Sequence, residues 1–380
     1  MGHSRNRYIS DSLFIGCGEA SGDHYASLLT GALRSSGFSA DIWGMMGDQC
    51  VSSGGRAVWS SSSLSLIGVS EVLGALPRLI RLRNEIADEI LKREPSGVVV
   101  IDSPDFNIPL LKRLKKLGYR GKMFYLAPPT VWAWRQGRAD ALAELCDMCF
   151  PLFGFEKDFL ETRGVKCRWF GHPLLNGIRR LSPAKLDDIG GRKVVALLPG
   201  SRKSEIRALL PVLLETAQGV VDRGLLPVFS IAPGLDAEVS ADLKAACSDW
   251  RVFEGPGAEL MAGSEMVIGA SGTAAVEALI LRKFMIVLYR VSLSSWITYK
   301  LFVKTPWISI PNILAKGSVY PELLQGDASP GKILRQLDNY IGKTDEKIRI
   351  EVLLDRAALE LGEGNAPEGW ARSIMEILEA

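Results

Sequence analysis

Two carboxylates three residues apart, Asp102 and Asp105, stand directly behind the run Val98-Val-Val-Ile101. A continuous β-branched run that ends in an acid reads as a buried parallel strand with a polar carboxyl end. Ligands of open α/β sheets collect outside that end, so a carboxylate there is placed to take a proton from a substrate. Two further segments suit anions. Pro199-Gly200-Ser201-Arg202-Lys203 follows the apolar run Val194–Leu198, and Ala270-Ser271-Gly272-Thr273 follows Met266–Gly269. Each opens a helical pattern, so unpaired backbone N–H groups, joined in the first turn by a guanidinium, can meet a phosphate. Glu277 lies about one helical turn beyond Thr273 on the same side, where an acid can hold a sugar hydroxyl. Two phosphate-type turns and such an acid describe a nucleotide site. A third turn, Gly18-Glu19-Ala20-Ser21-Gly22-Asp23, leads into the apolar positions Tyr25, Leu28, Leu29, Ala32 and Leu33. Anion binding and plain helix capping by Ser21 or Asp23 both fit it. It lacks the GxGxxG spacing of a dinucleotide fingerprint.

The elements that must position these groups alternate strand and helix. Strands are expected at Leu13–Gly16, Ala40–Gly44, Val98–Ile101, Lys122–Leu126, Cys146–Leu152 and Cys167–Leu174 in the first half. Val194–Leu198, Leu226–Ile231, Met266–Gly269 and Phe284–Tyr289 follow in the second. A helix is expected over Ile108–Leu117 with Gly118 closing it, another from Phe155, and helical structure from Lys332 to the end. Ser60–Ser65 and Pro311-Asn312 read as loops. Trp132, Trp134 and Arg135 after Pro128-Pro129 suggest a rigid platform at a cleft, or core packing. Leu66–Arg83 combines aliphatic residues with Arg78, Arg81 and Arg83. It fits a core helix with a solvated basic face, or a surface resting on an anionic bilayer, and Pro77 should interrupt or begin a helix there. The fold expected is α/β, with two Rossmann-like, doubly wound domains facing a central cleft. Their expected extents are residues 1–174 and 175–345, with a helical segment 346–380 returning to the first domain.

The bulk properties exclude other classes. With 45 basic and 43 acidic residues among 380, the net charge of +2 offers no field for nucleic acid. Six scattered cysteines fit a reducing compartment better than a disulfide framework. Cys146-Asp-Met-Cys149 has no second pair nearby, and three histidines leave little material for a metal site, so buried thiols are the favoured reading. The polar N-terminus lacks a signal-peptide pattern and no window reaches the length of a membrane span, so a cytoplasmic location is expected.

A set of motifs then becomes specific through its order. It comprises Gly18-Glu-Ala-Ser-Gly-Asp23, Ile67-Gly-Val-Ser-Glu-Val-Leu73, Ile101-Asp-Ser-Pro-Asp-Phe-Asn107, Val131-Trp-Ala-Trp-Arg135 and Phe170-Gly-His-Pro173. Leu198-Pro-Gly-Ser-Arg202, Ala270-Ser-Gly-Thr-Ala274 and Pro311-Asn312 complete it. The set closely resembles the lipid-A-disaccharide synthase family, inverting glycosyltransferases of GT-B-like architecture, over nearly the whole chain. Pro128-Pro-Thr130, Gly154 and Trp43-Gly-Met-Met-Gly-Asp48 depart from the family's usual residues, in loops rather than at reacting groups.

The resemblance implies transfer of the sugar of UDP-2,3-diacylglucosamine to the 6-hydroxyl of 2,3-diacylglucosamine 1-phosphate (lipid X). It implies Asp102 as the base, with Asp105 as a substitute or an orienting group. Ser201, Arg202, Ser271, Gly272 and Thr273 would hold the diphosphate, Glu277 the ribose, and Asn312 would lie near the nucleotide sugar. The Gly18, Glu19, Ser21, Gly22, Asp23 turn would receive the acceptor's phosphate or touch the donor sugar. No cofactor and no metal are called for. The acyl chains imply peripheral contact with the cytoplasmic face of the inner membrane, raising the Leu66–Arg83 stretch as its site, and a homodimer by helix exchange is compatible. Two other readings stand beside this one: another UDP-sugar enzyme, such as a muramyl-type transferase or a 2-epimerase, and a non-catalytic binder of lipid or nucleotide sugar.

Overall fold

In the computed structural model, residues 12–65, 72–133, 135–187, 189–292, 296 and 305–380 are described. The contacts divide the chain into two units, Met1–Pro173 with Glu363–Ala380, and Leu174–Gly362.

The first unit runs β1 (Ser12–Cys17), α1 (Ala20–Ser35), β2 (Asp41–Met46), α2 (Asp48–Ser52), β3 (Arg56–Ser60), α3 (Ser62–Ser65), α4 (Val72–Arg93) and β4 (Gly97–Ile101). It continues with α5 (Pro104–Lys116), β5 (Lys122–Leu126), α6 (Arg138–Leu145), β6 (Met148–Phe150) and α7 (Gly154–Glu161). Its sheet is parallel, in the order β3-β2-β1-β4-β5-β6. The order therefore reverses between β1 and β4, where Cys17 lies beside Ile101. Phe14, Leu13, Ile15 and all of Val98–Ile101 are fully buried. This is why the central strands read as unbroken apolar runs. On one face Phe14 meets Trp43 edge-on at 5.2 Å, among Val98, Val100, Leu111 and Leu114.

The second unit runs α8 (Leu174–Arg179), β7 (Val194–Leu198), α9 (Lys203–Val221), β8 (Leu226–Ile231), α10 (Ala237–Ala246), β9 (Arg251–Glu254), α11 (Gly257–Ala262) and β10 (Met266–Ala270). Then come α12 (Thr273–Ile280), β11 (Phe284–Tyr289), α13 (Ile310–Ala315), β12 (Glu322–Leu324), α14 (Pro330–Gly342) and α15 (Thr344–Leu359). Its parallel sheet has the order β12-β11-β10-β7-β8-β9 and reverses between β7 and β10. Helix α15 packs against α13 and α14, so this unit reaches Gly362 rather than residue 345. What belongs to the first unit is the final helix, α16 (Ala366–Glu379), which docks on α1. Trp370 is fully buried there against Tyr25, and Arg168 reaches Ser373 and Glu376 at 2.8 and 2.7 Å.

Several local expectations are corrected. Cys167–Leu174 is not a strand. It makes one bridge, Cys149 to Cys167, and is then held by side chains, among them the Trp169 Nε1–H donating to the Leu152 carbonyl at 3.0 Å. Ser62–Ser65 is a short helix rather than loop. Helix α5 starts at Pro104 instead of residue 108, with proline in its first turn, where a missing N–H costs nothing. Pro77 neither begins nor breaks α4. It lies inside the helix on an exposed face, where water can meet the carbonyl it leaves unpaired. Pro311 and Asn312 belong to α13 rather than a loop. Leu66–Glu71, Trp134 and most of the aromatic stretch 296–307 lie outside the described residues. Among the described residues, no helix is long and apolar enough to cross a membrane.

Candidate active site

In the first unit the candidate groups gather where the strand order reverses, the position at which open α/β sheets form a crevice. Asp102 follows β4 with φ +51° and Ser103 with φ +43°, two successive non-glycine residues in the left-handed region. Such backbone costs about 1–3 kcal/mol per residue and persists when neighbours over-determine it. Here they do. The Asp102 N–H donates to the Leu126 carbonyl at 3.1 Å. Its own carbonyl accepts from the Tyr125 hydroxyl at 2.6 Å and from Asn107 Nδ2 at 2.7 Å. Asn107 Nδ2 also donates to the Ile101 carbonyl at 3.1 Å. Tyr125 and Asn107 are both buried, and burial holds the tyrosine hydroxyl well above its usual range, so it stays a donor. This clamp turns the chain at the strand's end and leaves the Asp102 side chain half-buried.

The glycine turn after β1 touches this corner. A Cβ on Gly18 would fall 2.5 Å from Leu64 Cδ1 and 2.7 Å from Ser103 Oγ, so only glycine lets the two turns meet. Glu19 is the N-cap of α1, while Ser21 and Gly22 form its first turn. Asp23 is already occupied. Its buried carboxylate accepts from the N–H groups of Gly47 at 2.7 Å, Gln49 at 3.1 Å and Cys50 at 3.4 Å. It caps α2 and fixes the turn after β2.

The two acids diverge. Asp105 is exposed on the first turn of α5, and its Oδ1 accepts from Arg135 at 3.1 Å and from Arg138. Trp132 is anchored through Nε1–H to the buried Glu156 carboxylate at 3.0 Å and stands edge-on to Phe155 at 5.0 Å. Burial raises that carboxyl to about 7, against the donations from Trp132 and the Phe153 and Leu152 N–H groups. His172 is buried beside Phe153, and desolvation lowers it to about 3, so it is neutral.

In the second unit, the two anion turns leave adjacent strands at that sheet's own reversal, Gly269 standing beside Leu198. A Cβ on Gly269 would lie 2.5 Å from the Leu198 carbonyl oxygen, so the two backbones approach as closely as glycine permits. Gly200 and Gly272 have φ of +116° and +133° and turn the chain into α9 and α12. Ser201, Arg202, Gly272 and Thr273 are exposed, and Ser271 is half-buried. Glu205 was not singled out from the sequence, yet it faces this turn. Its Oε2 accepts from the Ser201 N–H and its Oε1 from Arg202, both at 3.3 Å. Glu277 is largely buried, and desolvation raises its carboxyl to about 7.

Asn312 is placed differently from expectation. It is fully buried, its Nδ2 donates to the Tyr320 carbonyl and Glu322 Oε1, and its Oδ1 accepts from the Val319 and Tyr320 N–H groups, each at 2.8 Å. That uses every donor and acceptor the amide has, so Asn312 clasps the segment after α13 and offers nothing to a ligand. Cys146 and Cys149 are buried free thiols. Among the described residues, no three His, Cys, Asp or Glu side chains come together to hold a metal ion.

A family model described as lipid-A-disaccharide synthetase matches residues 13–368, a span that includes every group above. The chain belongs to that family. It is 33% identical over 375 residues to the lipid-A-disaccharide synthase of Myxococcus xanthus, covering 96% of this chain and 97% of the relative. To the lipid-A-disaccharide synthase of Azotobacter vinelandii it is 35% identical over 331 residues, 84% and 87% of the two chains. Among solved structures it resembles the S. aureus MnaA–UDP co-structure, with TM-score 0.66, 11% identity and 97% of each chain covered. It also resembles a UDP-GlcNAc 2-epimerase from Neisseria meningitidis bound to UDP-GlcNAc, with TM-score 0.62, 11% identity, and 96% and 100% covered. A Rickettsia africae glycosyltransferase aligns with TM-score 0.56, 13% identity and 97% of each chain covered. At such identities the structural likenesses speak for the GT-B-like fold alone. Family membership supplies the activity: a UDP-sugar glycosyltransferase of lipid A biosynthesis.

Proposed function

We propose that the enzyme transfers 2,3-diacylglucosamine from its UDP ester to the 6-hydroxyl of 2,3-diacylglucosamine 1-phosphate, with Asp102 as the base. The products are the β-1,6-linked disaccharide 1-phosphate and UDP, and the anomeric configuration inverts. The Asp102 carboxylate takes the hydroxyl proton as the oxygen attacks the anomeric carbon. The bond from that carbon to the β-phosphate oxygen breaks, and its electron pair leaves with UDP. Arg202, the Ser201 N–H and the opening turn of α12 receive the charge that develops on the diphosphate. Glu205 holds Arg202 and Ser201 until a diphosphate replaces it. Glu277 accepts from a ribose hydroxyl.

The observation that carries this reading is the clamped, left-handed Asp102 at the β1/β4 reversal. Asp105 is a poorer base because two guanidiniums already neutralise it. Acyl chains require a lipid-facing surface, and Leu76 and Ile80 are exposed on α4 beside the exposed Arg78 and Arg81. That pattern supports peripheral contact with the anionic inner face of the inner membrane.

The test is UDP release with both lipid substrates and mass analysis of the product. Release of UDP with a tetraacyl disaccharide 1-phosphate is expected. UDP release without disaccharide, or epimerised donor, would overturn the reading.

A further inference from the structure

Beside the proposed base stands a cation pair that the transfer chemistry leaves unused. Arg135 and Arg138 reach the same oxygen of Asp105, one turn of chain beyond Asp102. Two guanidiniums thus converge on a single carboxylate oxygen. The contributing segments leave adjacent parallel strands at the same edge, since Ile101 lies beside Leu126 at the ends of β4 and β5. Two features mark the cluster as built. Arg135 holds φ +50°, a costly conformation for a long side chain, just ahead of α6. The Arg138 side chain is only 16% exposed, so it is largely withdrawn from water.

We infer that Arg135 and Arg138 form the receptor for the acceptor's 1-phosphate, with Asp105 holding the two guanidiniums ready for it. The inference rests on Asp102 meeting the acceptor's 6-hydroxyl. The 6-hydroxyl and the 1-phosphate belong to one sugar ring, so an anion site close to the base orients that ring by its two ends. A phosphomonoester carries between one and two negative charges at neutral pH and takes planar guanidiniums through paired hydrogen bonds. The glycine turn carries two acids, Glu19 and Asp23, and Asp23 is committed to α2, so the arginine pair is the better phosphate receptor.

The experiment compares 2,3-diacylglucosamine 1-phosphate with the same lipid bearing a free 1-hydroxyl, using wild type, Arg135→Gln, Arg138→Gln and Arg138→Lys. Each Gln variant should raise KM for the phosphorylated acceptor at least tenfold. KM for the hydroxyl acceptor and for the UDP-sugar should stay within twofold, so the preference for phosphate collapses. Lys should restore part of it, having charge without the planar fork. Equal losses on both acceptors would mean a structural role, and a changed donor KM would mean a donor subsite; either overturns the inference. Arg135 is half exposed, so its variant tests the idea even if Arg138→Gln folds poorly. Asp102→Asn separates the two readings. If it retains turnover the base assignment fails, while the acceptor preference still reports on the arginines.

Discussion

Asp102→Asn is the sharpest perturbation because the backbone chooses the substituent. Asp102 sits at φ +51°, a region that Asn and Asp visit far more readily than other non-glycine residues. The substitution keeps the shape and leaves the Tyr125 and Asn107 bonds intact, since both end on the backbone carbonyl. Stability should therefore change by no more than about 1 kcal/mol. Asp102→Ala should lose up to about 1–2 kcal/mol more, because alanine has no local hydrogen bond to offset left-handed backbone. Loss of a positioned base costs roughly 10²- to 10⁴-fold in rate, about 3–5 kcal/mol of barrier. The expectation is a fall of that size in kcat for Asn, with UDP affinity and melting temperature nearly unchanged. UDP release measures the first, calorimetry the second and thermal unfolding the third. An Asn variant within tenfold of wild type, or an Ala variant as stable as Asn, would refute the reasoning about base or backbone respectively.

Glu205→Gln should tighten UDP binding. Its ion pair with Arg202 involves a 64% exposed guanidinium, so it is worth about 0.2–1 kcal/mol and its removal should lower Kd by roughly 1.4- to 5-fold; weaker binding in titration calorimetry would show that Glu205 supports the site rather than guarding it. Burial raises the Glu277 carboxyl to about 7, so it becomes the charged, stronger acceptor for a ribose hydroxyl only as pH rises through that value. UDP affinity should accordingly grow between about pH 6 and 8 in wild type, and a Glu277→Gln variant with the same pH dependence would sink the ribose role. Arg78→Gln with Arg81→Gln should reduce flotation with vesicles containing anionic lipid at low salt and leave neutral vesicles unaffected; equal binding to both vesicle types would remove α4 from the lipid surface.

The elements legible in the sequence were those whose residues have a single environment. β4, β5, β7, β8, β10 and β11 are interior strands or nearly continuous buried runs, and their positions follow from composition. β3, β9 and β12 passed unnoticed. All three are short edge strands, and Arg56–Ser60 is largely exposed, so no apolar run announces it. At the site, the turns were legible because a strand, small residues and a helix follow one another locally. The allocation of each side chain was not. Asp23 and Asn312 look like ligand groups by type, yet their hydrogen bonds go to Gly47–Cys50 and to Val319–Glu322. The partners of Asp105 lie 30 and 33 residues further along the chain and come together only when β5 is laid beside β4.

The docking of α16 has a consequence for synthesis. The first unit is built from two separated stretches, Met1–Pro173 and Glu363–Ala380, with the whole of Leu174–Gly362 translated in between. At about 5–20 residues per second, roughly 10–40 s pass between the emergence of Pro173 and that of the helix that covers Tyr25. The second unit is continuous in sequence and can fold as it is made; the first must wait with the α1 surface uncovered until α16 has been synthesised. Stop codons or bulky fusions placed shortly before Ala366 should therefore harm the N-terminal half of the enzyme, the half made longest before.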